Sequence, residues 1–271
     1  MQRLAMLVAF VLLFLSACDQ TDSSKSEIEG DSLSRIQKAG VLLWGADVIG
    51  GVPYVYEDSD NPGNYIGFEV DIAHEIARSI GVKATLVIKA WDTLIPELQR
   101  GSFDLALNGI EDTEDRKVFV DYSLPYYVYA QQITVRKETV GINNIDDLKG
   151  KAVATLSGTA AEDILRSMSD ITVTINPEII YSYEHLLAAK VDAVVLDTPI
   201  AAAYGASNPN LKNVGKPFGE GHYVIAFRKE DNTLLEAVNR GISEMKENGT
   251  MTAIYKKWGI MNQHQSKIGI K

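Results

Sequence analysis

The chain has 271 residues, 46% of them hydrophobic and 23% charged, with one cysteine and a formal net charge of −10. The acidic balance excludes the basic stripe of a nucleic-acid-binding surface and a polybasic grip on membranes. The lone cysteine excludes a disulfide within the chain.

Arg3 precedes an unbroken apolar run, Leu4 to Leu15. The run is short for a membrane span of about 20 residues but suits the core of an export signal. Leu15-Ser16-Ala17-Cys18 follows, and this order of a branched residue, two small residues and a cysteine resembles a bacterial lipoprotein box. The resemblance implies that 1–17 is a signal cut before Cys18 and that the Cys18 thiol carries a diacylglycerol; an ordinary signal with an incidental cysteine is the alternative. Cleavage would leave 25 basic against 36 acidic residues, a net charge of −11. Residues 18–32 are polar and charged and read as a flexible tether, because they hold too little apolar surface to fold. The folded part is expected to begin near Leu33.

Val41 to Trp44 reads as a strand. Phe68, Ile72, Ile76 and Ile80 recur every fourth residue, which places them on one face of a helix that Gly81 ends. Thr85 to Ile88 is the next strand, Asp92 is placed to cap a helix running through Leu98, and Phe103 to Leu107 is a strand again. Strand–helix–strand spacing of this kind implies a parallel sheet covered by helices. A second set follows: strand Lys151 to Leu156, helix Thr159 to Met168, strand Ile171 to Ile175, helix Tyr183 to Ala189 and strand Ala193 to Leu196. Extended runs at Tyr127 to Arg136 and Tyr223 to Arg228 separate the two sets from each other and from helices at Leu234 to Glu247 and Met251 to Trp258.

The expected architecture is α/β and two-lobed. Residues 33–129 and 225–262 form lobe 1, 130–224 form lobe 2, and 263–271 form a C-terminal tail. Two crossing strands act as a hinge, and a cleft lies where the carboxyl ends of the strands of both lobes face each other.

Several segments then carry a family resemblance: Gly67-Phe-Glu-Val-Asp-Ile-Ala73, Trp91-Asp-Thr-Leu-Ile-Pro-Glu-Leu98, Phe103 through Arg116, Asp121-Tyr-Ser-Leu-Pro-Tyr126, Leu156-Ser-Gly-Thr159, Val191 through Asp197 and Asn248-Gly-Thr250. In this order and spacing the chain resembles the polar-amino-acid solute-binding proteins of bacterial ABC importers, family 3, from about Val41 to Trp258. The resemblance implies the two-lobed periplasmic-binding-protein fold (type II), a free amino acid as ligand, a transporter permease as partner, a monomer, and no cofactor or metal.

An amino-acid site needs a fork of donors for the carboxylate opposite acceptors for the ammonium. Arg116 matches the family's carboxylate-binding arginine, and a guanidinium holds a carboxylate through two parallel bonds. Ser157 to Ala160 form a strand-to-helix turn, where free N–H groups favour an anion; Thr159 and the Ala160 amide are the candidate donors, with Leu156 beside them. Thr159 as a simple N-cap is compatible with that role. Asp197 is the candidate ammonium acceptor, completed by backbone oxygens around Asn108 and Gly109; a capping role before Thr198-Pro199 is the alternative. By resemblance Asp47 and Trp91 line the side-chain pocket, Trp91 stacking on the ligand.

Two departures stand out. Relatives commonly carry Ser or Thr at the position of Glu111, so Glu111 either turns away, leaving only its N–H to the ligand, or reaches toward a cationic ligand side chain. The loop 48–52 is one residue longer than usual and lacks an aromatic lid residue, for which Tyr54 or Tyr56 could substitute. Cationic amino acids are expected ahead of neutral polar ones, and acidic ones are expected to bind poorly. An enzyme of the same fold, such as a cyclohexadienyl-dehydratase-like protein using Asp47, Glu111 and Asp197, is the alternative from another class, as is a ligand-presenting sensory protein. Against the enzyme, there is no Ser–His–Asp set, no phosphate loop and no metal-spaced His/Cys cluster, and the four histidines are scattered.

Overall fold

The structure, a computed structural model, describes residues 31–49 and 51–271. The expected signal, Cys18 and the tether as far as residue 30 lie outside the described residues.

The chain begins with α1 (Ser32–Ala39), capped by the Asp31 side chain, which accepts from the Ser34 N–H, and closed by left-handed Gly40. Strand β1 (Val41–Ala46) follows, then a short hairpin of β2 (Tyr56–Glu57) and β3 (Tyr65–Ile66). Helix α2 (Phe68–Ser79) buries Phe68, Ile72 and Ile76 on the face its four-residue period requires. Its N-cap Gly67 sits at φ 144°, and a Cβ there would lie 1.8 Å from the Tyr54 carbonyl oxygen, so glycine is what lets α2 start against the Tyr54 loop. After β4 (Lys83–Ile88) come a 3-10 turn, Trp91–Thr93, and α3 (Leu94–Gln99). Asp92 therefore lies inside that turn and not at the expected cap position. The expected strand from Phe103 shortens to β5 (Leu105–Ala106), followed by α4 (Glu114–Lys117) and β6 (Asp121–Tyr122).

The second set is β7 (Tyr127–Arg136), β8 (Ala152–Leu156), α5 (Ala160–Ser167), β9 (Thr172–Asn176), α6 (Ile179–Leu187), β10 (Ala193–Asp197), a three-residue α7 (Thr198–Ile200) running into a π-helical turn, Ala201–Ala206, and a long β11 (Leu211–Tyr223). Then β12 (Ala226–Phe227), α8 (Asn232–Glu247) and α9 (Thr250–Lys257) return to the first set, α8 packing on α1 and α2. Residues 263–271, read above as a tail, hold a 3-10 helix, Gln263–Ile268. Its buried Gln265 bonds both the N–H and the carbonyl of Val128 at the start of β7.

The fold is the α/β two-lobed periplasmic-binding-protein fold. One sheet has the order β4-β1-β5-β12-β6 and the other β11-β7-β10-β8-β9. Both are mixed and not purely parallel. β4, β1 and β5 run parallel, as do β10, β8 and β9, while β12 and β7 run against their neighbours. The chain leaves the first sheet after β6, enters the second at Tyr127, and leaves it at Tyr223, which is in register with Tyr127. These two tyrosines stack at 5.7 Å, and Tyr129 stacks on Tyr223 at 4.7 Å, so the joint between lobes is a packed aromatic column.

A candidate ligand-binding cleft

The parallel strands aim their carboxyl ends at one place. Asp47 follows β1, Asn108 follows β5 by two residues, Ser157 follows β8 and Asp197 ends β10. Asp47, Trp91, Asn108, Gly109, Glu111, Leu156, Thr159 and Asp197 line a single cavity of about 40 Å³ together with Tyr54, Ile179, Leu196, Ile200 and Tyr223. Arg116 and Ala160, the other two expected site residues, reach it through Glu111. The lobes are closed: a Cβ on Gly158 of lobe 2 would touch the Trp91 ring at 3.4 Å, and one on Gly51 would lie 2.7 Å from the Tyr204 hydroxyl.

Of the two directions expected for Glu111, the turn away from the cavity is not taken, and its carboxylate is bonded by the protein's own donors. It is 1% exposed and points inward. One of its carboxylate oxygens accepts from Arg116 Nη2 at 3.1 Å, and the other accepts the Ala160 N–H at 2.9 Å. Arg116 Nη1 donates to the Glu111 carbonyl at 2.9 Å, and Nη2 also reaches the Gly158 carbonyl of the other lobe. The guanidinium thus pairs with Glu111 and lies 5.1 Å over the Trp91 ring. The physical reason is charge: a buried carboxylate beside an arginine and a helix N-terminus finds there the donors that burial would otherwise deny it.

Thr159 is the N-cap of α5: its hydroxyl accepts from the Glu162 N–H and donates to the Leu156 carbonyl at 2.8 Å. Asp197 occupies the N-cap position of α7, but its side chain makes no capping bond there. Its carboxylate accepts from Gln131 Nε2 at 2.7 Å and from the Tyr223 hydroxyl, which also meets the Tyr54 hydroxyl at 2.8 Å. Burial pushes Asp197 above the usual carboxylate range, offset by those two bonds and Arg116. Burial and then the Asp197 charge push Glu111 higher still. The Asn108 carbonyl, expected to face an ammonium, accepts the Trp91 indole N–H at 2.9 Å, and the Asn108 side chain accepts from the Asp47 N–H.

Sequence reasoning missed Glu69, Gln131, Tyr223 and the apolar wall of Ile179, Leu196 and Ile200. Of the two candidate lid residues, Tyr54 lines the cavity, whereas Tyr56 packs edge-on against Trp258. Among the described residues no group of three or more His, Cys, Asp and Glu is placed to hold a metal ion.

Residues 48–261 match the bacterial extracellular solute-binding proteins, family 3, and the chain belongs to that family. It is 32% identical over 241 residues to the L-cystine-binding protein TcyJ of Escherichia coli K12, covering 87% of this chain and 89% of that one. Among solved structures it is similar to the P235GK mutant of ArgBP from T. maritima, with 35% identity, TM-score 0.78, and 84% and 99% of the two chains covered. It is also similar to an ancestral arginine-binding protein bound to arginine, with 36% identity, TM-score 0.76 and coverage of 81% and 98%. These relatives are binding proteins, not enzymes.

Proposed function

We propose that the protein is the substrate-binding component of an amino-acid ABC importer and that it closes its lobes on one free amino acid, cationic or neutral polar, for delivery to a permease. One observation carries this reading: Arg116 and the Ala160 N–H converge from opposite lobes on a single carboxylate, that of Glu111, which lines the same cavity as Asp197. Donors for a carboxylate and an acceptor for an ammonium are what the two ends of a free α-amino acid require. The arginine-bound relative supports the same ligand class. Titration calorimetry of the ligand-stripped protein against the twenty amino acids tests it. One site per chain is expected, with acidic amino acids weakest, because Asp47, Glu111 and Asp197 all line the cavity. No heat from any amino acid would overturn the reading.

The lipid anchor is a separate part of the proposal, supported by the Leu15-Ser16-Ala17-Cys18 pattern at the end of the apolar run. Two or three acyl chains hold a protein stably at a membrane, where one does so only marginally. Cys18→Ser is expected to release the protein from membranes or leave it unprocessed. Maturation and membrane fractionation identical to the wild type would exclude the anchor.

A further inference from the structure

The donors that a ligand carboxylate needs are already occupied by the protein itself. Glu111 offers one oxygen to Arg116 in its own lobe and the other to Ala160 at the start of α5 in the opposite lobe, and its side chain is out of solvent. Chemically the Glu111 carboxylate stands where the carboxylate of a free amino acid would stand. It also ties the lobes together, as does the bond from Arg116 to the Gly158 carbonyl.

We propose that Glu111 is a displaceable internal ligand of the carboxylate receptor and that, once displaced, it selects amino acids with a cationic side chain. The proposal rests on the amino-acid reading above. A ligand carboxylate that takes the same Arg116 Nη2 and Ala160 N–H must displace Glu111 from them. The evicted carboxylate remains among apolar walls and beside Asp197, and a buried charge that has lost its partner is strongly unfavourable. It is relieved when the ligand brings a second cation. Charge counting gives the same preference. A cationic ligand side chain beside Glu111 favours its ionised form, and with both acids ionised Glu111 and Asp197 against Arg116 leave one negative charge, which a ligand of net charge +1 neutralises and a zwitterion does not. The Asp47 carboxylate at the cavity rim adds to the bias. Around Glu111 the charged and titratable groups are Asp197 on β10, Arg116 on α4, the Asp112–His222 pair next along the loop, Tyr122 on β6 and Tyr129 on β7. Arg116 is the fixed cation among them.

The position therefore acts twice. Seated on Arg116 and Ala160, Glu111 bridges the two lobes. Ligand-bound, it sets a threshold that a neutral amino acid clears poorly and a cationic one clears by supplying a new partner. Serine at this position would remove both effects, leaving Arg116 and Ala160 open to the ligand.

The test measures arginine, lysine, glutamine and serine by calorimetry on the wild type, Glu111→Ser and the isosteric Glu111→Gln, with small-angle scattering of each ligand-free protein. The wild type is expected to prefer the cationic pair. Glu111→Ser is expected to tighten the neutral pair by about tenfold or more and the cationic pair little or not at all, with Glu111→Gln shifting the ratio in the same direction. Ligand-free Glu111→Ser is expected to show a larger radius of gyration than the wild type. Equal weakening of all four ligands in both variants, an unchanged cationic-to-neutral ratio, or a wild-type preference for the neutral pair would overturn the proposal while leaving amino-acid binding intact. Absence of amino-acid binding in all three proteins would overturn both readings. Should Glu111→Ser not fold, Glu111→Gln and the wild-type ratio decide.

Discussion

Arg116→Ala is expected to weaken amino-acid binding by roughly 100-fold or more, the loss that follows when two charge-assisted hydrogen bonds in a closed site disappear together. The guanidinium is held for this role from three sides. Its Nη1 is anchored on the Glu111 carbonyl, its plane lies over the Trp91 ring, and its Nη2 faces the point that Ala160 also faces. Removing it costs the ligand its charged contact and leaves Glu111 and Asp197 in one cavity with no guanidinium between them. Arg116→Lys restores the charge but not the fork, so it should recover only part of the affinity. Full affinity of Arg116→Ala for any amino acid the wild type binds would remove Arg116 from the site. A circular-dichroism melt of each variant separates lost binding from lost folding.

What could be read beforehand follows from which interactions are local. The four-residue period of Phe68, Ile72 and Ile76 marks α2 because the helix buries that face against its own lobe. Strands β8 and β10 were legible because strands covered on both faces are continuous apolar runs. β11 was not. Its sequence carries Gly215, Pro217, Gly219 and Gly221, which weaken any local strand signal, and it is a strand through its non-local pairing with β7. That pairing shifts register twice, between Val214 and Phe218 and between Phe218 and Gly221, and the irregularities accommodate the glycines and the proline. α6 begins at Ile179, four residues before the expected start, because Ile179 and Tyr183 pack on the second sheet and the cleft in a way no local signal announces.

The site divides in the same way. Asp47, Asn108 and Asp197 were findable because strand ends face the cleft in this class of fold. Ile179, Leu196, Ile200 and Tyr223 line the cavity, yet in sequence they are indistinguishable from core residues. The inward turn of Glu111 was not legible either. It depends on α5 of the other lobe arriving opposite it, although an acid five residues before an arginine and directly after buried Ile110 is the signal that could have raised the possibility of the pair.

The ligand-free protein is expected to lose stability as pH rises from about 5 to 7.5, with Glu69 as one cause beside Glu111 and Asp197. Glu69 sits in the first turn of α2, fully buried, and one carboxylate oxygen accepts both the Tyr126 hydroxyl at 2.5 Å and the Gly109 N–H at 2.7 Å. Burial pushes it up to about 7 against an ordinary 4.5, and the bonds from Tyr126, Gly109 and Asn108 only partly offset this. Unfolded, the same carboxyl releases its proton near 4.5, so between these values the folded state holds more protons than the unfolded state. The Glu69 contribution to stability is therefore fully present below about 4.5, falls as pH rises through the window, and is gone above about 7, a loss on the order of 3 kcal/mol. Glu111 and Asp197, also raised, act in the same direction. Glu97, lowered to about 2 by bonds from Ser102, Lys89 and Arg100, acts oppositely but below this window. Glu69→Gln imitates the protonated acid, since its carbonyl oxygen can keep the two bonds from Tyr126 and Gly109. It should reduce the slope of urea-unfolding free energy against pH between 5 and 7.5, leaving the part due to Glu111 and Asp197. A slope equal to the wild type would exclude Glu69 as a titrating group. The consequence reaches the cleft, because the same carboxyl fixes the Gly109 N–H, and with it the loop after β5 that presents Asn108, Gly109 and Glu111 to the ligand.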